Sequence, residues 1–339
     1  MMKHITYPAV LGAVLPMDLH LFAGQPNTNL TSSGGLTAEM KTYYSDYLID
    51  LVEPELVHDL FAQKHPIPKN GGKTIEFRQW DTLPEMTTPL TEGVTPDGQS
   101  LSMSTVEATV EQYGGYVTLS DMLMLTAIDP VLVVATKAIA SQAGRSLDTI
   151  SREVLNAGTI VQYAQGQVSD RANLAYTSET NNCNLTARAV KMAVRFLESQ
   201  DAPKINGWYM GIVHPYCKFD LTNDPEWRKP HEYVDTNDIY TNEIGELYGV
   251  RFVESSRAKK WEKAGASNAD VYSTLIMGAD AYGTTEVTGG GLQHITKQLG
   301  SAGTADALNQ RATCGWKATK VTKLLVPQYI VRIETTATP

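Results

Sequence analysis

Apolar residues along the chain change period several times, and each change predicts an element. From Thr37 to about Ala62, the positions Met40, Tyr44, Tyr47, Leu48, Leu51, Val52, Leu56 and Leu60 recur every three or four residues. That spacing predicts an amphipathic helix, kinked at Pro54. From Gly71 the period falls to two. Ile75 and Phe77 alternate with Thr74, Glu76 and Arg78; Val106, Ala108 and Val110 alternate with Glu107, Thr109 and Glu111. Between these runs lie Pro84, Pro89, Gly93, Pro96, Asp97 and Gly98. Residues 71–120 therefore read as one long hairpin with its turn signal at Pro96-Asp97-Gly98. A two-stranded hairpin is marginal in water on its own. This one needs a surface to lie on, either its own domain or a neighbouring subunit.

The period then returns to that of a helix. Asp129 is suited to the N-cap and Pro130 to the first helical position. Leu132, Ala135, Ile139, Ala143, Leu147, Ile150 and Val154 form a single stripe, and Gly158 ends it. Residues 160–183 are polar and read as loop. A second amphipathic helix covers about 186–199, with Val190, Val194 and Leu197 on one face. Beyond it, 208–214, 249–255 and 271–278 read as strands, with a short helix at 242–249 before the second. A last strand is expected at about 321–334. No internal repeat is visible. The fold class expected is α+β.

Charge sharpens this picture. Charged residues make up 19% of the 339 residues, and the net charge is −9. An average soluble domain carries roughly 25%, so the chain is sparsely charged for a free subunit. The acidic balance, with no basic block, argues against tight electrostatic binding of nucleic acid. No apolar run reaches the ~18 residues of a membrane span. The N-terminal run Ala9–Leu15 lacks a small-residue cleavage site, and Met17 offers a second start. The cysteines, Cys183, Cys217 and Cys314, have no metal spacing and form no even framework, which fits a reducing compartment.

No catalytic motif survives inspection. Gly72-Lys73-Thr74 resembles the end of a phosphate loop, but Ile67 stands where its first glycine belongs. Gly289-Gly290-Gly291 is followed by His294 where a dinucleotide turn needs a small residue. His214 and Cys217 are near each other without a third partner, and a core thiol beside a strand-end histidine is the simpler reading. No catalytic, cofactor-binding or metal-binding residue is expected.

Long runs carry a resemblance. They include GLTAEMKTYYSDYL (35–48), KNGGKTIEFRQW (69–80), TPLTEGVTPDGQ (88–99), QYGGYVTLSD (112–121), APKINGWYMGIVHP (202–215), EIGELYGVRFVES (243–255) and the continuous stretch 289–320. Over about residues 25–336 the chain resembles the major capsid protein of tailed bacteriophages, in the branch typified by the N4 phage coat protein. The resemblance implies the HK97 capsid fold, laid out as an extended N-terminal arm (1–35), an N-arm helix (36–65), an E-loop hairpin (66–121), a peripheral domain with a long spine helix (122–183), an axial domain (184–305) and a return strand of the peripheral domain (306–339). Residues 1–16 have no counterpart in the family.

The implied function is a shell, built of hexamers and pentamers, around a double-stranded DNA genome. The implied partners are a separate scaffold protein, a portal and decoration proteins, with no membrane and no specific nucleic-acid site. The implied location is the virion, reached from the host cytoplasm during assembly. An encapsulin-like nanocompartment is the alternative. The inter-subunit residues implied in the E-loop are Ile75, Phe77, Gly93, Pro96, Asp97, Gly98, Val106, Ala108 and Val110. Some shells of this fold crosslink a lysine to an asparagine, but the spacing of Lys73 and Asn309 gives that role no support.

Overall fold

The structure is a computed structural model, which describes residues 28–29, 57–81, 83–95, 97–126, 131–164, 168–178, 182–227, 243–301 and 303–339. All but residues 28–29 of the expected N-terminal arm, most of its helix, Asp129, Pro130 and Pro96 lie outside these residues. The strands are β1 (Thr28–Asn29), β2 (Gln63–Lys64), β3 (Thr74–Trp80), β4 (Met103–Thr109), β5 (Glu111–Ser120), β6 (Val161–Tyr163), β7 (Tyr209–Val213), β8 (Glu243–Leu247), β9 (Val250–Glu254), β10 (Lys260–Trp261), β11 (Val271–Met277), β12 (Tyr282–Thr285), β13 (Gln293–Lys297), β14 (Arg311–Leu324) and β15 (Ile330–Thr335). The α-helices are α1 (Asp121–Thr126), α2 (Val131–Asn156), α3 (Ala187–Ser199) and α4 (Pro215–Asn223).

One sheet runs in the order β1-β5-β14-β12-β2, with β13 also on β14; a second runs β6-β15-β11-β7-β9-β8, with β10 on β11; β3 and β4 pair only with each other. The chain divides into two compact units. The smaller includes residues 117–131 and 297–313. Leu119 and Leu123 are buried there, Ser120 Oγ accepts the Leu123 N–H at the start of α1, and Asp306 accepts the Arg311 N–H.

The larger unit is built on the second sheet, whose strands divide their side chains between two cores. Tyr209 and Val213 of β7, Val250 and Phe252 of β9, Ile276 of β11 and Val331 and Ile333 of β15 join Val190, Ala193 and Leu197 of α3. The alternate residues Met210 and Ile212, Val253, Leu275 and Met277, and Ile330 join Leu155 of α2. Period-two side chains between two helical layers bury every residue of β7 and β11, which is why both read as continuous apolar runs. Gly211 faces Phe252 across the β7–β9 pair, and a Cβ there would lie 2.6 Å from that ring. Gly211→Ala is therefore expected to cost about 1–3 kcal/mol through overpacking, read as a lower urea midpoint at unchanged slope.

Helix α2 runs for 26 residues, or roughly 39 Å at 1.5 Å per residue. Its stripe departs from expectation at its C-terminal end. Leu132, Ala135, Ile139, Ala143 and Leu147 are buried, but Ile150 and Val154 are only half-buried, and Asp148, Ser151 and Leu155 take the inward face. The cause is polar: Asp148 and Ser151 carry hydrogen bonds to the segment at 58–59. The helix ends at Arg332, whose guanidinium donates to the carbonyls of Asn156 and Gly158, placing a cation at a helix C-terminus.

Three other expectations are corrected. The short helix expected at 242–249 is strand β8 and a turn. Tyr248 and Gly249 both have positive φ, 53° and 79°, the geometry of a tight hairpin into β9. The single strand expected at 321–334 is two strands in different sheets, parted at Pro327, which has no N–H for a ladder. The helix expected up to Ala62 does not reach that far: residues 58–61 form a turn and β2 follows. The polar stretch 160–183 also contributes β6, which pairs in parallel with β15.

Candidate assembly surface

The hairpin has the register its alternation suggests. Ile75 faces Ala108 and Phe77 faces Val106. The apolar face is partly covered at its root by the same unit. Phe77 meets the His65 ring edge-on at 6.1 Å, and Gly283 leaves room for it, since a Cβ there would lie 3.3 Å from the Phe77 ring. Ala108 and Val110 are already buried within the chain, while Ile75, Phe77 and Val106 are half-buried. The first two thus have little area left to offer a neighbour.

Past the root the character changes. No strand forms between Asp81 and Ser102 among the described residues. The tip keeps its shape through sparse bonds: Ser102 Oγ to Asp81 at 2.7 Å, the Asp81 N–H to the Ser102 carbonyl at 3.1 Å, and the Val94 N–H to the Thr91 carbonyl at 3.1 Å. Gly93, with φ +81°, makes the turn. Gly93, Asp97 and Gly98 are exposed. So are large apolar side chains: Leu90 is 74% exposed, Met86 63% and Trp80 60%. Several large apolar side chains exposed on one segment suit an interaction surface.

The segment just before β2 is held by a buried polar node. His58 donates from both its backbone N and its Nδ1 to Asp148 Oδ1, at 3.0 and 2.9 Å. Burial alone would push the Asp148 carboxyl up, but the His58 bonds and the Arg257 charge hold it below the usual carboxylate range. Next to it, Asp59 accepts from Ser151 Oγ at 2.6 Å and pairs with Lys320, which also donates to the Leu147 carbonyl at 3.0 Å. Tyr282 OH closes the node on the His58 carbonyl at 2.5 Å. These groups come from four distant parts of the sequence, and no spacing announces them.

Residues weighed for chemistry do not assemble into a reactive centre. His214 caps α4, its Nδ1 accepting the Tyr216 N–H at 3.3 Å. Cys217 is buried against Thr335, not His214, and burial pushes its thiol up to about 12. Sequence reading missed a different pair: His294 Nε2 lies 3.1 Å from Cys314 Sγ. Burial raises that thiol and lowers that imidazole, which favours the neutral pair over thiolate–imidazolium. A thiol reagent at neutral pH is therefore expected to reach Cys183, which is half-buried, and to spare Cys217 and Cys314 until the subunit unfolds. Rapid labelling of native Cys217, seen by peptide mass, would contradict this. No group of three or more His, Cys, Asp or Glu among the described residues is arranged to hold a metal, and no helix there is long and apolar enough to cross a membrane.

The architecture is shared with known shells. The capsid of Ralstonia phage GP4 aligns with a TM-score of 0.63 at 14% identity, over 98% of this chain and 99% of that one. The cyanophage Pam1 capsid aligns with a TM-score of 0.63 at 15% identity, over 91% and 98%. An encapsulin complex from Synechococcus elongatus aligns less well, with a TM-score of 0.51 at 9% identity over 88% and 93%. The fold is thus the HK97-like capsid fold, as the sequence runs implied. No curated protein matches the sequence. The phage capsid protein family model matches residues 103–333, more than two-thirds of the sequence, and the chain belongs to that family.

Proposed function

We propose that this chain is the major capsid protein of a tailed phage, self-assembling into the icosahedral head shell around the double-stranded DNA genome. Residues 66–121 act as the E-loop, 122–183 as the peripheral domain with α2 as its spine, 184–305 as the axial domain and 306–339 as the return to the peripheral domain. The observation that carries the assembly role is the exposed apolar tip between Trp80 and Met103, which gains a partner only when copies meet. Hexamers and pentamers reuse one set of patches, so each contact can be weak while the shell is stable. A scaffold, a portal and decoration proteins complete the head, which forms in the host cytoplasm. The role is structural, and no step of chemistry is assigned to the chain.

The encapsulin alignment supports a second reading, a cellular compartment of the same fold. The test is expression of the full chain, followed by gel filtration and negative-stain imaging. Megadalton shells are expected. A monomer with hydrolase activity overturns the proposal, and native particles filled with an enzyme rather than DNA favour the compartment.

A further inference from the structure

One titratable side chain is tied to the backbone by a lone pair. Strand β7 ends at Val213, and α4 opens on Pro215, which brings no N–H. The first N–H of the helix is therefore that of Tyr216, and His214 Nδ1 accepts it at 3.3 Å. Most N-caps are Ser, Thr, Asp or Asn, whose oxygens accept at neutral and mildly acidic pH alike. An imidazole nitrogen accepts only while it carries no proton. The cap of α4 thus depends on the charge of one ring.

The ring is fixed from two sides. It stacks on Tyr216 with centroids 5.4 Å apart and planes 6° from parallel, and it meets Tyr272 of β11 at 4.7 Å. The charged and titratable groups around it are few. Lys260 of β10 stands over the Tyr272 ring at 5.8 Å and pairs with Asp270 at 2.8 Å. Glu254, at the end of β9, pairs with Lys218 of α4 at 2.5 Å. Cys217 bonds to Thr335. Burial and then the Lys260 charge hold the imidazole below its usual range, with Glu254 opposing. The positive end of α4 also disfavours imidazolium there. Asp220, one turn further on, works the other way: burial raises its carboxyl, so taking up a proton in acid favours the native helix.

We infer that His214 is a pH-dependent cap: when Nδ1 takes a proton, the Tyr216 N–H loses its acceptor and the first turn of α4 opens. The direction follows from linkage. A histidine held neutral in the native state stabilises it fully above the unfolded pKa of about 6.5. That contribution is lost as the pH falls from there through the native value. Tyr216 and Phe219 lie exposed on α4, so the order of this aromatic surface follows the cap. The device lies within the larger unit and does not depend on the assembly role.

Hydrogen exchange of the full chain, read by mass spectrometry on peptides covering 214–223 and corrected for the intrinsic effect of pH, tests it. Between about pH 7.5 and about pH 5, protection of the first turn of α4 is expected to fall by about fivefold, the size of a lost N-cap, while α3 keeps its own. His214→Asn supplies a cap that does not titrate, and its protection is expected to be equal at both pH values. Lys260→Gln, at an exposed side chain, removes a cation that disfavours imidazolium and is expected to move the midpoint to higher pH. A purely structural role for His214 would not produce that shift. The inference is overturned if the parent keeps its protection in acid, if the folded Asn variant loses protection as the parent does, or if Lys260→Gln leaves the midpoint in place. Should circular dichroism show that the Asn variant does not fold, the parent and the Lys260 variant decide the question.

Discussion

Deletion of Thr91–Gln99 is expected to leave a folded, soluble subunit that forms no shells. The described side chains of this segment are all exposed, so their loss removes nothing from either core. Surface changes of this kind usually move stability by no more than about 0.5 kcal/mol. Assembly should respond differently, because on the proposed role every subunit lends its tip to a neighbour and the loss repeats around each ring. Avidity gains of about 10²–10⁴ disappear when simultaneous engagement is blocked, so particle yield should fall by ~100-fold or more. Urea denaturation and negative-stain counts of the same preparation read both halves of the expectation. Normal particles from the deleted chain would show that the tip is not the contact.

Lys320→Ala is expected to destabilise the subunit by about 3–5 kcal/mol, because removing one partner of a buried ion pair strands the other. Asp59 would keep only the Ser151 hydroxyl at 2.6 Å, inside a node that ties 58–59 to α2 and β14. The paired replacement Asp59→Leu with Lys320→Met should cost much less than the single change, since it removes the charge together with its desolvation. Unfolding is best followed in the tip-deleted background, where loss of assembly leaves the subunit's own stability to be read. A single variant as stable as its parent would mean that the pair does not hold residues 58–59 against α2 and β14.

Recognition of the fold came from different signals in different places. The hairpin was legible because a half-buried ribbon enforces a period of two, and Ile75, Phe77, Val106 and Ala108 keep it. Strand β8 was not legible, because Glu-Ile-Gly-Glu-Leu has no strong strand signature; the missed clue was Tyr248-Gly249, a pair able to take positive φ. The shift of the α2 stripe onto Asp148 and Ser151 was hidden as well, since two polar residues turn inward only if His58 and Asp59 meet them. The likeness to the N4 coat branch rests on the sequence runs alone.

Sequence by itself determined the elements whose burial is local and periodic: the long helix, the hairpin, and the apolar strands β7 and β11. Neighbouring residues on one face meet the same environment, so the pattern is written in consecutive positions. Only the tertiary structure decided that Ala108 and Val110 are spent inside the chain while Leu90 and Met86 are left in water, and that Lys320 pairs with Asp59. Those outcomes depend on groups up to 261 residues apart, whose meeting the packing of sheets and helices dictates and local spacing does not encode.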